Sequence, residues 1–340
     1  MSVSDASRLR KGDGGGYTAV RTEPGKPRWL HAFAPCPPLK GIAPIRPHDQ
    51  GPRVALALAA NQILASATHL FAKGAVVAVG ALPVALIRFL IASATLWGWQ
   101  RARGVGGIDR RDWPRVAFLG FLVVPMNQGF FLFGMVHSTP SHASLLYALT
   151  PIVVFLMARA MLRERMPWSA LAGILVAFSG VIVILTERGL KQELEVLGGD
   201  LLILVAVFAW ALYTVLSKPL LARYDAMAVT TGAIVSGTLM TLPALFIPGA
   251  IPDFATVPPP IWGAILYLAI GTSVIAYPLY MYALRHLETA KVAVAQNTQP
   301  IITSILSWLV FRERFTGAFF LGAALILAGV TWVETRRAKG

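Results

Sequence analysis

Few residues in this chain can do chemistry, and many of those lie inside apolar runs, where they are costly. Arg88 falls near the centre of the run 79–100. A charge at that depth in a hydrocarbon-spanning helix has to face a cavity or a partner. It therefore reads either as a cavity-lining group suited to a carboxylate, or as a buried structural group paired with backbone carbonyls. Other runs carry uncharged hydrogen-bonding residues: Asn61, Gln62 and Ser66; Asn127 and Gln128; Ser144 and Tyr147; Trp210 and Tyr213; Tyr277 and Tyr280; Gln296, Asn297 and Gln299. Each alone could be interhelical glue worth about 0.6 kcal/mol. Together, amides, phenols and an indole would make a neutral cavity that hydrogen-bonds and stacks. The candidate substrate-binding set is Arg88, Asn61, Gln128, Tyr147, Trp210, Tyr213, Tyr277, Gln296 and Asn297.

Other chemistries find no support in the sequence. It has no GxxxxGK[ST] phosphate loop and no HExxH. His137 and His142 are five apart, not the i, i+4 of a helical zinc pair. The one cysteine, Cys36, cannot form an internal disulfide. No catalytic residue, metal or cofactor is expected, and the chain does not read as an enzyme. The acidic residues all fall outside the predicted span interiors, with Asp200 and Asp225 at span ends, so the carboxylate relay of many proton-coupled transporters is not expected. His69, His137 and His286 fall near span ends, where a solvated or headgroup role is expected. If the chain is a transporter, facilitated transport, exchange, or coupling by an unfamiliar route is expected.

These residues must be positioned by membrane helices. The chain is 56% hydrophobic and only 14% charged, against about 25% charged in soluble domains. Apolar runs of about 20 residues match the thickness of a bilayer core. Ten spans are predicted: 54–73, 79–100, 116–136, 141–161, 168–186, 200–221, 228–248, 261–283, 289–310 and 315–334. Residues 1–52, rich in glycine, proline and basic residues, read as a disordered cytoplasmic tail. With the N-terminus inside, fourteen Lys/Arg beyond the tail lie in cytoplasmic segments and four lie outside, which puts both termini in the cytoplasm. A net charge of +14 does not imply nucleic acid, because much of it sits in the tail and in short loops.

A pattern then appears twice, 149 residues apart without a gap. Pro151, Arg163-Glu164-Arg165, Gly173 and Gly180 become Pro300, Arg312-Glu313-Arg314, Gly322 and Gly329. The copies fall on spans 4–5 and 9–10, an odd number of helices apart. The halves 53–187 and 198–335 are therefore expected to cross the membrane in opposite senses, as an inverted repeat. Pro151 and Pro300 each remove a backbone donor and free a carbonyl four residues back, at Tyr147 and Gln296. They read as hinges, or as sites that offer backbone oxygens, or as static kinks. The glycine pairs, two turns apart, suit close helix packing, between halves or in a homodimer. The Arg-Glu-Arg turns read as structural, through headgroup contact and pairing of the glutamate. Lys73 and Lys218, near span ends, are expected to snorkel to the interface.

The segments SLLYALTPIVVFLMARAMLRE, from Ser144 to Glu164, and QNTQPIITSILSWLVFRE, from Gln296 to Glu313, resemble those of the drug/metabolite transporter superfamily, specifically EamA-type exporters. Arg88, Asn127-Gln128 and the four glycines add to the likeness, which covers residues 53–335. The resemblance implies an all-α integral membrane fold of two inverted five-helix repeats. It also implies export of small metabolites, amino acids or their relatives first, across a bacterial inner membrane by alternating access. Sugars, nucleotide precursors or drugs are alternative substrates, and a membrane-embedded enzyme or lipid-handling protein is the rival class.

Overall fold

A computed structural model describes residues 10–11, 17–18, 51–162, 168–185, 194–287 and 289–337. Most of the basic leader lies outside these. Within it, Arg10–Lys11 pairs antiparallel with Tyr17–Thr18. The Arg163-Glu164-Arg165 turn is also outside the described residues.

From residue 51 the described elements are helical. Helix α1 spans Gly51–Val79 and α2 spans Ala81–Ala102. The chain reverses between them at Gly80, whose φ of +87° a side chain would resist. Helix α3, Trp113–Phe121, continues through a π-helical stretch, Leu122–Gly129, into α4, Phe130–His137. Thr139 then caps α5, Pro140–Tyr147, by accepting from the His142 backbone N–H. Helix α6 is Thr150–Leu162, α7 is Trp168–Leu185 and α8 is Leu194–Leu221. Asp225 caps α9, Ala226–Thr241. Helix α10, Pro259–Leu266, runs through a second π-helical stretch, Tyr267–Ala276, into α11, Tyr277–His286. Helix α12, Thr289–Ala295, passes through one 3₁₀ turn, Gln296–Thr298, into α13, Gln299–Phe311. Helix α14 is Gly317–Arg337.

Seven helical stretches among the described residues are long and apolar enough to cross a membrane; Ala172–Ile184 and Gly317–Trp332 are shorter apolar helices. The polarity is inverted relative to a water-soluble protein. Leu56, Ile63, Val77, Leu175, Ile182 and Ile305 point outward, while Asn61, Arg88, Asn127 and Gln128 are buried. That is the distribution expected when lipid is the solvent.

Glycine sets the closest approaches. A Cβ on Gly180 would lie 2.7 Å from the Gly322 carbonyl oxygen, and one on Gly329 would lie 2.5 Å from that of Gly173. The repeated glycines therefore face each other along α7 and α14, within one chain. Gly120 and Gly237 bring α3 against α9 in the same way, and Gly134 and Gly199 bring α4 against α8.

The prolines do not lie inside continuous helices. The helix breaks at Ala148 and Leu149, and Pro151 is the second residue of α6; Pro300 is the second residue of α13. In that first turn the missing donor costs nothing. The freed carbonyls are also occupied. The Thr150 hydroxyl donates to the Tyr147 oxygen at 2.6 Å, and the Gln299 N–H donates to the Gln296 oxygen. Neither oxygen is held open for a substrate.

The two lysines do not snorkel. Lys73 Nζ donates to the carbonyls of Met135, Val136 and Ser138 at 2.8–3.0 Å. Lys218 Nζ donates to those of Leu284 and Leu287, the latter at 2.6 Å. Leu284 and Leu287 are the 149-offset counterparts of Met135 and Ser138. Each ammonium thus satisfies the orphan carbonyls at the end of one π-interrupted helix.

The glycine contacts give a test. Gly180→Val and Gly322→Val each overpack the α7–α14 seam, at a cost of about 1–3 kcal/mol. Both lower the thermal unfolding midpoint in detergent, whereas Gly263→Ala, into open space, leaves it unchanged.

Candidate functional site

The π-helical stretches place the chemistry. A π turn widens the helix and re-aims its side chains, and such turns gather at functional sites. Pro125 lies inside the first stretch and Pro278 just after the second. Each denies the α-helical ladder a donor, so the chain closes locally with the wider turn. The first stretch carries Asn127 and Gln128, the second Thr272 and Ser273.

Between them lies a cavity of about 60 Å³, lined by Asn61, Ala65, Thr68, His69, Gln128, Phe131, Tyr147, Trp210, Thr272, Ala276, Tyr277, Gln296 and Gln299. That volume holds a few waters. Six of the nine residues proposed from sequence line it: Asn61, Gln128, Tyr147, Trp210, Tyr277 and Gln296. They form three pairs, each separated by 149 residues: Asn61 with Trp210, Gln128 with Tyr277, and Tyr147 with Gln296. Equivalent positions of the repeat converge on one space, with different chemistry in each half.

The first half supplies a hydrogen-bonded chain. Arg88 Nη1 donates to Gln128 Oε1 at 2.6 Å and Arg88 Nε to Ser273 Oγ at 3.1 Å. Gln128 Nε2 donates to Asn127 Oδ1 at 2.6 Å. Asn127 Nδ2 donates to the Tyr147 hydroxyl at 2.6 Å and to the Ala206 carbonyl at 2.8 Å. A second chain runs from Gln299 to Gln62 at 2.8 Å, Gln62 to Asn61 at 3.1 Å, and Asn61 to the Ala276 carbonyl at 2.9 Å. These amides leave little rotational freedom in the wall.

The second half supplies an aromatic face. The Trp210 ring packs against Tyr213, Tyr277 and Tyr280, with centroids 5.4, 5.4 and 5.0 Å away, within the stacking range. Several polar atoms here lack a hydrogen-bond partner: Arg88 Nη2, Trp210 Nε1, and the hydroxyls of Tyr213 and Tyr277. Gln296 Oε1 and Asn297 Oδ1 are likewise unpartnered. Tyr277 is the electrostatic neighbour of Arg88, and Tyr280 that of Trp210, but neither pair reaches good hydrogen-bond geometry. Unpaired buried donors and acceptors cost about 1–3 kcal/mol each.

Three proposed residues are placed differently from the lining expected of them. Arg88 is fully buried behind the wall and touches the cavity through Gln128 and Tyr277. Its bonds go to side chains, not to the carbonyls of the structural alternative. Among the described residues no carboxylate pairs with it. Tyr213 backs Trp210, and Asn297 lies on the 3₁₀ turn beside Gln296.

His69 is the principal residue that the sequence reading undervalued. It is buried in the cavity wall, edge-on to Phe131 and Tyr147 at 5.5 and 5.8 Å. A signal was present: Asn61, Ala65, Thr68 and His69 stand at i, i+4, i+7 and i+8, one face of α1. Asp200 also departs from expectation. It is a buried residue within α8, bonded to Ser138 Oγ and 3.1 Å from His142 Nδ1. Glu313 of the second Arg-Glu-Arg turn takes the hydroxyls of Ser141, at 2.8 Å, and Ser307.

A helical membrane protein with a cavity lined by polar and aromatic residues from two related halves has the build of a secondary transporter. The EamA-like transporter family profile matches the chain twice, over residues 53–186 and 197–335, and the chain belongs to that family. It is 28% identical to an uncharacterized transporter of Archaeoglobus fulgidus, over 81% of this chain and 95% of that protein. It is 30% identical to a probable terminal-alkyne amino-acid exporter of Streptantibioticus cattleyicolor, over 76% and 85% of the two chains. A solved crystal structure matches with a TM-score of 0.61 at 24% identity, covering 85% of this chain and 99% of that one; that likeness concerns the fold.

The arginine network makes a non-additive prediction. Gln128→Met leaves a second guanidinium nitrogen unpaired and destabilises the protein by about 3 kcal/mol. The double variant Arg88→Met/Gln128→Met recovers most of that loss, read as thermal unfolding midpoints across the double-mutant cycle.

Proposed function

We propose that this transporter exports small metabolites carrying a carboxylate, amino acids or close relatives first, by alternating access. The observation that carries the reading is the cavity itself. Three pairs of positions at the 149-residue offset surround it, and a buried cation stands behind one wall with Nη2 unspent. Gln128 and the Arg88 charge suit a carboxylate. The Trp210 face suits an apolar or unsaturated remainder. The similarity to a probable amino-acid exporter supports the same class.

The layout in this reading is ten crossings as two inverted five-helix halves. The apolar helices 172–184, 299–311 and 317–332 add to the seven long stretches. The Lys/Arg distribution puts both termini in the cytoplasm, of a bacterial inner membrane. The end carrying Ser138, Asp200 and Glu313 is then external, and the end carrying Asp112 and Asp225 is cytoplasmic. Both ends are tied in this conformation. At the cytoplasmic end Asp112 accepts from Arg223 at 2.5 Å and from Tyr224 at 2.7 Å. Burial and that carboxylate push the Tyr224 phenol up to about 12. Separating the halves at one end while the other stays tied exposes the cavity to each side in turn.

Counterflow tests this. Proteoliposomes preloaded with a neutral amino acid take up the labelled compound, and Trp210→Ala slows that exchange at least tenfold while keeping a monodisperse, folded protein. A panel of amino acids that exchange no faster than in protein-free liposomes, beside a sugar or nucleoside that does exchange, would transfer the reading to the other substrate class.

A further inference from the structure

The two ends are tied by different chemistry. At the cytoplasmic end Asp112, from the first half, is held by Arg223 of the second. Arginine keeps its charge at every accessible pH. At the external end Asp200, from the second half, is held by Ser138 and His142 of the first, with His142 Nδ1 3.1 Å from Asp200 Oδ2. Histidine is the side chain that a modest change of pH can recharge. The sequence gives this pair no twin: the 149-offset positions of His142 and Asp200 are Lys291 and Gly51. The pair is also shielded. Asp200 and His142 are nearly inaccessible, and Phe319 of α14 stacks over the imidazole at 6.1 Å.

We propose that Ser138, His142 and Asp200 form a proton-operated latch that sets how readily the cavity opens to the outside. The inference rests on the alternating-access reading. A neutral imidazole offers the carboxylate one hydrogen bond; a proton turns it into an imidazolium, and the pair then attracts across the two halves as an ion pair in a low-dielectric setting. Mild acid outside therefore tightens the external end, alkali loosens it, and the arginine-held cytoplasmic end is unchanged.

The charged neighbours come from every element around the pair. Lys73 of α1 reaches the Ser138 carbonyl, and His137 packs beside Gly199 at the end of α4. Glu313, after α13, bonds Ser141 one residue from His142. Arg312 and Arg314 flank that glutamate and are exposed. His137 is a histidine near the pair but exposed and not bonded to Asp200, so it is the control.

The test uses the full chain in right-side-out membrane vesicles. Cys36, the sole cysteine, is changed to serine and Ala65 in the cavity wall to cysteine. The external labelling rate by a membrane-impermeant thiol reagent is measured at pH 6 and pH 9, with and without Asp200→Asn. Taking the ratio of the two proteins at each pH cancels the reactivity of the thiolate. The latch predicts that the asparagine variant labels at least fivefold faster than its parent at pH 6 and less than twofold faster at pH 9. His142→Gln gives the same pattern, and His137→Gln keeps the parental profile. A ratio that is the same at both pH values, for both Asp200→Asn and His142→Gln, overturns the latch. If Ala65→Cys is labelled from outside in no variant at either pH, the alternating-access reading falls, and the latch with it.

Discussion

A guanidinium held in a low-dielectric interior, with no carboxylate beside it among the described residues, constrains the middle of this protein. Arg88 cannot shed its proton, so the fold has to surround it with oxygens. Gln128 and Ser273 supply two, and both come from π-helical stretches that turn these side chains toward α2. Gln128 is then committed. It can offer only its amide nitrogen onward, to Asn127, and Asn127 passes the order on to Tyr147 and α8. One buried charge thus fixes the orientation of four side chains on three helical segments. It also explains why the cavity wall is amide-rich without being charged.

The ends answer a different demand. Helix ends leave carbonyls that the ladder does not use, and lipid offers them no donor. Lys73 meets that need at α4 with three carbonyls and Lys218 at α11 with two. Gly134 and Gly199 let the backbones touch, so the α4 end is pinned by close packing as well as by charge. The tight seam between α7 and α14 contributes no residue to the cavity wall. In the proposed mechanism it is the part of the fold that stays together while the two ends open in turn.

Much of this was legible in the sequence, and the failures have physical causes. The offset of 149 residues led directly to Gln128 with Tyr277, because duplication preserves which helix face turns inward. The same offset joins Asn61 to Trp210 and Tyr147 to Gln296, all in the wall. The structure corrects the span boundaries, and with them two titratable residues. Helix α8 begins at Leu194, not near 200, so Asp200 lies more than a turn inside and is buried. Helix α1 runs to Val79, so His69 is well within it. The π stretches leave no trace in a 3.6-residue pattern beyond their prolines. Pro151 stands in the first turn after the break at Ala148–Leu149 and Pro300 in the first turn after the 3₁₀ turn Gln296–Thr298, and the carbonyls four residues back are already bonded.

In the proposed function, substrate choice rests on an arginine that reaches the cavity through Gln128 and an unspent Nη2. The most direct measurement is the affinity of the purified protein for a transported amino acid against that of its own primary amide, by calorimetry. The two differ in charge and scarcely in shape. The account predicts that the acid binds at least tenfold more tightly, about 1.4 kcal/mol, and that Arg88→Met abolishes the preference while leaving weak binding of both. Equal affinities for acid and amide in the wild-type protein would contradict it.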